Sequence, residues 1–218
     1  MRIVIIGAMD NEVELLINLF HMKEIDAKRK IFESEMKENL IVVANSGIGK
    51  VNSASMTEYL INHYSPDFVI NTGCAGSLRS DVKIMDVVLS TYVTYHDFTP
   101  TRIMEYSVPD EGKPKASEKL ITIAKKILEE KAQKYFVAPL CSGDSFVTNN
   151  KMRDEIQEKT GAFAVDMESG SIGHVCRMHE VPFVCIRTIS DFADGNDDFE
   201  KEAAYKSSYL VENIIKSL

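Results

Sequence analysis

Runs of β-branched apolar residues recur along the chain, and between them the apolar positions fall into helical spacing. Residues 2–8, 68–71, 86–95, 135–140, 162–165 and 184–191 read as strands; where Val and Ile follow one another without alternation, burial on both faces is expected. Residues 31–36 and 40–44 read as a hairpin bent at Lys37, Glu38 and Asn39. Asp10 reads as the N-cap of a helix with the stripe Val13, Leu16, Ile17 and Phe20. Further helices are expected over residues 51–64, 117–131, 151–159 and 171–178, and a long C-terminal one carries Phe199, Ala203, Leu210, Val211, Ile214 and Ile215 on one face. Residues 72–76 read as a small-residue turn, and residues 97–114, which mix Pro, Gly and charge, as a long loop. Strands alternating with helices predict one α/β domain over residues 1–218, with three α/β/α layers around a mixed, mostly parallel sheet.

Composition narrows the function. The 218 residues are 44% apolar, enough for one well-covered core. Against 33 acidic side chains stand 25 basic ones, a net charge of -8, with no basic block anywhere. Nucleic acid and anionic membrane are therefore not expected partners. No apolar run reaches membrane-spanning length, and the N-terminal one is too short for a signal sequence. Cys74, Cys141, Cys176 and Cys185 form no CxxC pair and sit mostly in apolar contexts, as reduced thiols do. A cytoplasmic protein is the expectation.

Candidate chemistry gathers where strands end. The run from Val184 finishes in Ser190 and Asp191, and α/β sheets bind ligands outside the carboxyl ends of their strands. Other strand ends contribute Glu12, the 73–76 segment, Phe146, and Met167 with Glu168. Acids and an aromatic ring dominate, and no Lys or His stands out as a base. That set suits acid/base work on a neutral, partly apolar ligand. Glycosidic cleavage needs two carboxyl groups with divided roles, one protonating the leaving group and the other activating water. Plainer roles exist for each: Glu12 complements a helix dipole, Asp191 caps a turn, Glu168 starts a helix, and Phe146 and Met167 fill core. His96 with Asp97, and His174 with His179, lack a third metal ligand at a supporting spacing. The acids from Asp191 to Asp198 do not fit an EF-hand, and Gly47-Ile48-Gly49-Lys50 does not fit a P-loop.

Ile5-Ile6-Gly7-Ala8-Met9 with Glu12, then Ser46-Gly47-Ile48-Gly49-Lys50-Val51, Asn71-Thr72-Gly73 with Ala75-Gly76, Ser142-Gly143-Asp144, Asp166-Met167-Glu168 and Ile189-Ser190-Asp191 follow one another in order. Together they resemble the bacterial 5'-methylthioadenosine/S-adenosylhomocysteine nucleosidases nearly end to end. The resemblance implies the nucleoside phosphorylase fold, a homodimer, no metal, no organic cofactor, and hydrolysis of an adenine N-glycosidic bond. It implies that Asp191 is the acid at purine N7, supported by Ser190, and that Glu12 is the base on water. Glu168 would take the ribose hydroxyls, with Met167 against the sugar, Arg187 bordering the water site, and Asp166, Cys74, Ala75 and Gly76 completing the substrate pocket. Phe146 would stack on the purine, the backbone of Val147 read its edge, and Met9, Ile48 and Phe199 line the 5'-alkylthio end. Two rivals share the fold: cleavage of 6-amino-6-deoxyfutalosine, and attack by phosphate instead of water. The chain departs from the pattern at Cys74, where serine is frequent, and over residues 98–106.

Overall fold

The structure, a computed structural model, describes residues 1–195 and 202–218. Phe199, Asp197 and Asp198 lie outside the described residues. Nine strands form one mixed sheet among the described residues: β1 (Arg2–Gly7), β2 (Lys23–Asp26), β3 (Ile31–Met36), β4 (Asn39–Asn45), β5 (Phe68–Ser77), β6 (Val87–Tyr95), β7 (Tyr135–Ser142), β8 (Ala164–Asp166) and β9 (Phe183–Asp191). Their order is β2-β3-β4-β1-β5-β8-β7-β6-β9. Because β5 also pairs with β9, the last five strands of that order close on themselves. Pairing is parallel for β1 with β4 and β5, for β5 with β9, and for β7 with β6 and β8. It is antiparallel for β2 with β3, β3 with β4, β5 with β8, and β6 with β9.

The two-residue period of a strand sends alternate side chains to opposite faces, and both faces here are covered. Ile3, Ile5, Ile70, Val184 and Ile186 face α1 (Asp10–Leu19), α5 (Glu118–Glu130) and α8 (Glu202–Ser217), which contribute Leu16, Leu120 and Ile214 to the same core. Val4, Ile6, Val69, Phe183 and Cys185 face α2 (Lys50–Tyr64) and α7 (Ser169–Met178), which add Leu60, Ile172 and Cys176. Two cores on either side of one sheet make the expected α/β/α layers. The remaining helices are α3 (Thr101–Ser107), the short turn α4 (Pro109–Gly112) and α6 (Asn150–Thr160).

Three local expectations are corrected. Residues 72–76 are not a turn: β5 runs on to Ser77, held by β9 in register from Val69 opposite Phe183 to Ala75 opposite Ile189. Residues 97–114 are not one loop, since α3 and α4 lie within them and seat Met104 against Tyr95 and Val108. The N-cap of α1 is Met9, with Asp10 as the first helical residue. The strand β2 was not expected; its largely exposed Lys-Glu-Ile-Asp sequence carries no burial pattern.

Candidate active site

Register assembles the site. Gly76 faces Val165 in the antiparallel β5–β8 pair, so the chain leaving β8 at Asp166 runs back alongside Cys74 and Ala75. On the other edge of β5, the parallel partner β9 ends level with Gly76. A cavity opens between these ends, lined by residues from several strand ends and turns. Met9 and Glu12 enter from the β1–α1 junction, Ile48 from the β4–α2 turn, and Cys74, Ala75 and Gly76 from β5. Phe146 and Val147 come from the loop after β7, Asp166, Met167 and Glu168 from the exit of β8, and Ser190 and Asp191 from the end of β9. Sequence reasoning missed Ala8, Ser145, Val165 and Ala193, which also line it; each lies within two residues of a predicted one, and small or apolar side chains give no chemical signal of their own.

Glu12 is 2% exposed and held by backbone. Its Oε2 accepts from the N–H groups of Ala8 at 2.7 Å and Met9 at 3.1 Å. Its Oε1 accepts from the Cys74 N–H at 3.0 Å and from the Cys74 thiol at 3.4 Å. This packing requires glycine at position 73: φ there is +153°, and a Cβ would lie 2.2 Å from Glu12 Oε1 and 2.3 Å from Arg187 Nη1. The N-terminal turn of α1 adds a favourable helix dipole to a carboxylate placed there.

Arg187 sits elsewhere than expected. It is fully buried and does not line the cavity; it stands behind three carboxylates that do. Nε donates to Asp166 Oδ2 at 2.7 Å, Nη2 to Asn71 Oδ1 at 2.9 Å and Glu168 Oε2 at 3.5 Å, and Nη1 to the Thr72 carbonyl at 3.3 Å, with Glu12 Oε1 3.8 Å away. Burial works against its charge, but Asp166, Glu12 and Glu168 outweigh that and raise its pKa. Losing any one partner would leave a buried charge short of compensation. Arg187 is thus a hub that spaces the acids.

Glu168 accepts from the Gly49 N–H at 3.0 Å, which ties the β4–α2 turn to the cavity floor. Burial pushes its carboxyl up to about 7; Asp166 and Glu12 add to the rise, while Arg187 and the Gly49 N–H oppose it. Asp166 is occupied inward, accepting at Oδ1 from the hydroxyls of Ser142 and Ser169 at 2.5 and 3.0 Å.

Asp191 is presented by a bulge. The β5–β9 register skips Ser190, because Ala75 faces Ile189 and Gly76 faces Asp191. The extra residue turns Ser190 and Asp191 to the cavity together. Asp191 Oδ2 accepts from the Ser190 hydroxyl at 2.8 Å, and Oδ1 from the Ala193 N–H at 2.9 Å. Gly76 lets this happen, since a Cβ there would come within 2.9 Å of Asp191 Oδ1.

No group of three or more His, Cys, Asp or Glu side chains among the described residues is placed to hold a metal ion. His179 pairs with Glu58, His174 with Tyr95, and Asp97 with Lys50. Among the described residues no helix is long and apolar enough to cross a membrane. The cavity therefore offers four carboxyl groups, an apolar wall of Met9, Ile48, Phe146, Val147 and Met167, and no Lys, Arg or His among its described lining residues.

The model of the Phosphorylase superfamily matches residues 2–217. The chain is 37% identical to the 5'-methylthioadenosine/S-adenosylhomocysteine nucleosidase of Staphylococcus carnosus, over 98% of this chain and 99% of that one. Among solved structures, the nucleosidase of Neisseria meningitidis in complex with methylthio-immucillin-A is similar at a TM-score of 0.91 and 34% identity, covering 100% of this chain and 99% of that one. The futalosine hydrolase of Helicobacter pylori is similar at a TM-score of 0.92 and 28% identity, covering 100% and 98%. A full-length family match, a relative of this identity and a cavity walled by carboxylates agree: the chain belongs to the phosphorylase superfamily and, within it, to the 5'-methylthioadenosine/S-adenosylhomocysteine nucleosidases.

Proposed function

We propose that this hydrolase cleaves the N-glycosidic bond of 5'-methylthioadenosine and S-adenosylhomocysteine, and of 5'-deoxyadenosine, to adenine and the 5-substituted ribose. One observation carries the choice of water as nucleophile: carboxylates and no cation line the cavity among the described residues. Phosphate would meet repulsion from Glu12, Asp166 and Glu168, whereas water is activated by a carboxylate. Glu12, fixed by three backbone N–H groups, takes a proton from water at the anomeric carbon. Asp191, aimed by Ser190 and Ala193, protonates purine N7, so that adenine leaves as a neutral base. Between them the sugar passes through an oxocarbenium-like state.

Glu168 accepts from the ribose hydroxyls, and Met167 lies against the ring. Phe146 stacks on the purine, the Val147 backbone reads its edge, and Met9 and Ile48 give a thioether the soft apolar surface it suits. Ile48, at the thioether end of the cavity, is 50% exposed, which supports a homodimer whose second copy closes the 5' end. Four free, buried thiols support a cytoplasmic enzyme, and its products a place in methionine salvage. The structural likeness to a futalosine hydrolase supports a second reading, cleavage of 6-amino-6-deoxyfutalosine. Side-by-side kcat/KM values for methylthioadenosine, S-adenosylhomocysteine and aminodeoxyfutalosine decide between them; the first two lead if the thioether reading holds, and a lead for the third replaces it.

Glu168 makes binding depend on pH. An ionised carboxylate accepts two hydroxyls and a protonated one does not. With its carboxyl raised to about 7, the free enzyme takes up a proton there as pH falls, and binding must expel it. Affinity for a non-hydrolysable nucleoside thioether therefore weakens below pH 7, by about tenfold per unit at the limit. Calorimetric titration over roughly pH 5 to 8 checks this, since a flat Kd removes Glu168 from ribose recognition.

A further inference from the structure

The helix α8 carries two serines that its packing does not need. Leu210, Val211, Ile214 and Ile215 already dock it on the sheet, yet Ser207 and Ser208 are fully buried, and buried hydroxyls cost stability unless they are bonded. Helical hydroxyls commonly return to the carbonyl one turn back, as Ser53 does to Gly49 and Thr57 to Ser53. Ser207 and Ser208 instead reach other elements. Ser208 Oγ donates to the Glu12 carbonyl at 2.8 Å, and Ser207 Oγ to the Gly73 carbonyl at 2.8 Å.

That second carbonyl matters because of the amide to which it belongs. The Gly73 carbonyl and the Cys74 N–H are two ends of one peptide group, and the Cys74 N–H donates to Glu12 Oε1 at 3.0 Å. Ser207 has one proton, spent on Gly73, so its 2.8 Å contact with Thr188 Oγ1 is made with Thr188 donating. The result is a directed chain: Thr188 hydroxyl, Ser207 hydroxyl, the Gly73–Cys74 peptide, Glu12 carboxylate. Each bond polarises the next, and the inward hydroxyl fixes the plane of a peptide whose glycine has no side chain to brace it.

We infer that Ser207, seconded by Thr188, is a positioning residue for Glu12: it aims and strengthens the N–H that holds the carboxylate against the water. The inference rests on the reading of Glu12 as the base. Its test uses the full-length enzyme and steady-state kinetics on methylthioadenosine. Ser207→Ala lowers kcat about fivefold to tenfold, the scale of one hydrogen bond, and leaves KM within about twofold. Thr188→Val, which removes the relay hydroxyl at constant shape, lowers kcat in the same direction by less, and Thr188→Ser, which keeps it, restores the wild-type value. A merely structural role would lower the melting temperature in both Thr188 variants and would not separate kcat from KM. The inference is overturned if Ser207→Ala and Thr188→Val fold as wild type and keep kcat; if Ser207→Ala does not fold, the Thr188 pair decides alone. Glu12→Gln, measured in parallel, separates the two claims. Full turnover in that variant removes the base itself, whereas a dead Glu12→Gln beside an unaffected Ser207→Ala removes only the relay.

Discussion

Glu12→Gln lowers kcat by about 10²- to 10⁴-fold, the range for a lost general base. An amide cannot take the proton from water, and the cavity keeps its shape. The variant also carries a structural cost. The glutamine carbonyl can replace Oε2 beneath the N–H groups of Ala8 and Met9, but its NH₂ then faces the Cys74 N–H, donor against donor. A buried donor left unpaired costs about 1–3 kcal/mol, which lowers the melting temperature by roughly 2–12 °C in a protein of this size. Kinetics and thermal melting together check both halves, and a variant that turns over normally removes Glu12 from the chemistry.

Asp191→Asn has a similar kinetic effect with a different thermal signature. The amide has no proton acidic enough for N7, so kcat again falls by about 10²- to 10⁴-fold. Here, however, the partners can adapt. The Asn carbonyl keeps the Ala193 N–H, and its NH₂ meets the Ser190 hydroxyl, which rotates to accept. The melting temperature should therefore stay within about 2 °C of wild type, and nucleoside binding should survive. Wild-type kcat in this variant would contradict protonation by Asp191, and a large thermal loss would contradict the adaptable partner.

Much of this site was readable from strand ends. Glu12, Glu168 and Asp191 each follow a buried apolar run, and although each has a plain structural use alone, three acids at neighbouring strand ends point to one site. The elements that escaped share a physical reason. Thr72 to Gly76 looked like a turn because small side chains carry no packing signal, yet their smallness is what lets Glu12 and Arg187 crowd against β5. The segment of α3 shows one well-buried residue, Met104, too little for a helical period to appear. Arg187 was visible as a charge inside an apolar strand, but its partners arrive from α1, β5, β8 and the turn after β8, and only the closed sheet brings them together. Ser207 falls on the apolar face of the C-terminal helix, four residues after Ala203 and four before Val211, but the sequence does not say which carbonyl a buried hydroxyl reaches. Phe199, expected at the 5' end, lies outside the described residues.

The central claim is that water, activated by Glu12, opens the bond that Asp191 prepares. Turnover of methylthioadenosine in water enriched in heavy oxygen, with and without added phosphate, tests it most directly. One labelled oxygen at the anomeric position of the 5-methylthioribose, and a rate of adenine release that phosphate does not change, are the expected result. Adenine release that strictly requires phosphate, with an unlabelled sugar 1-phosphate as product, would contradict it.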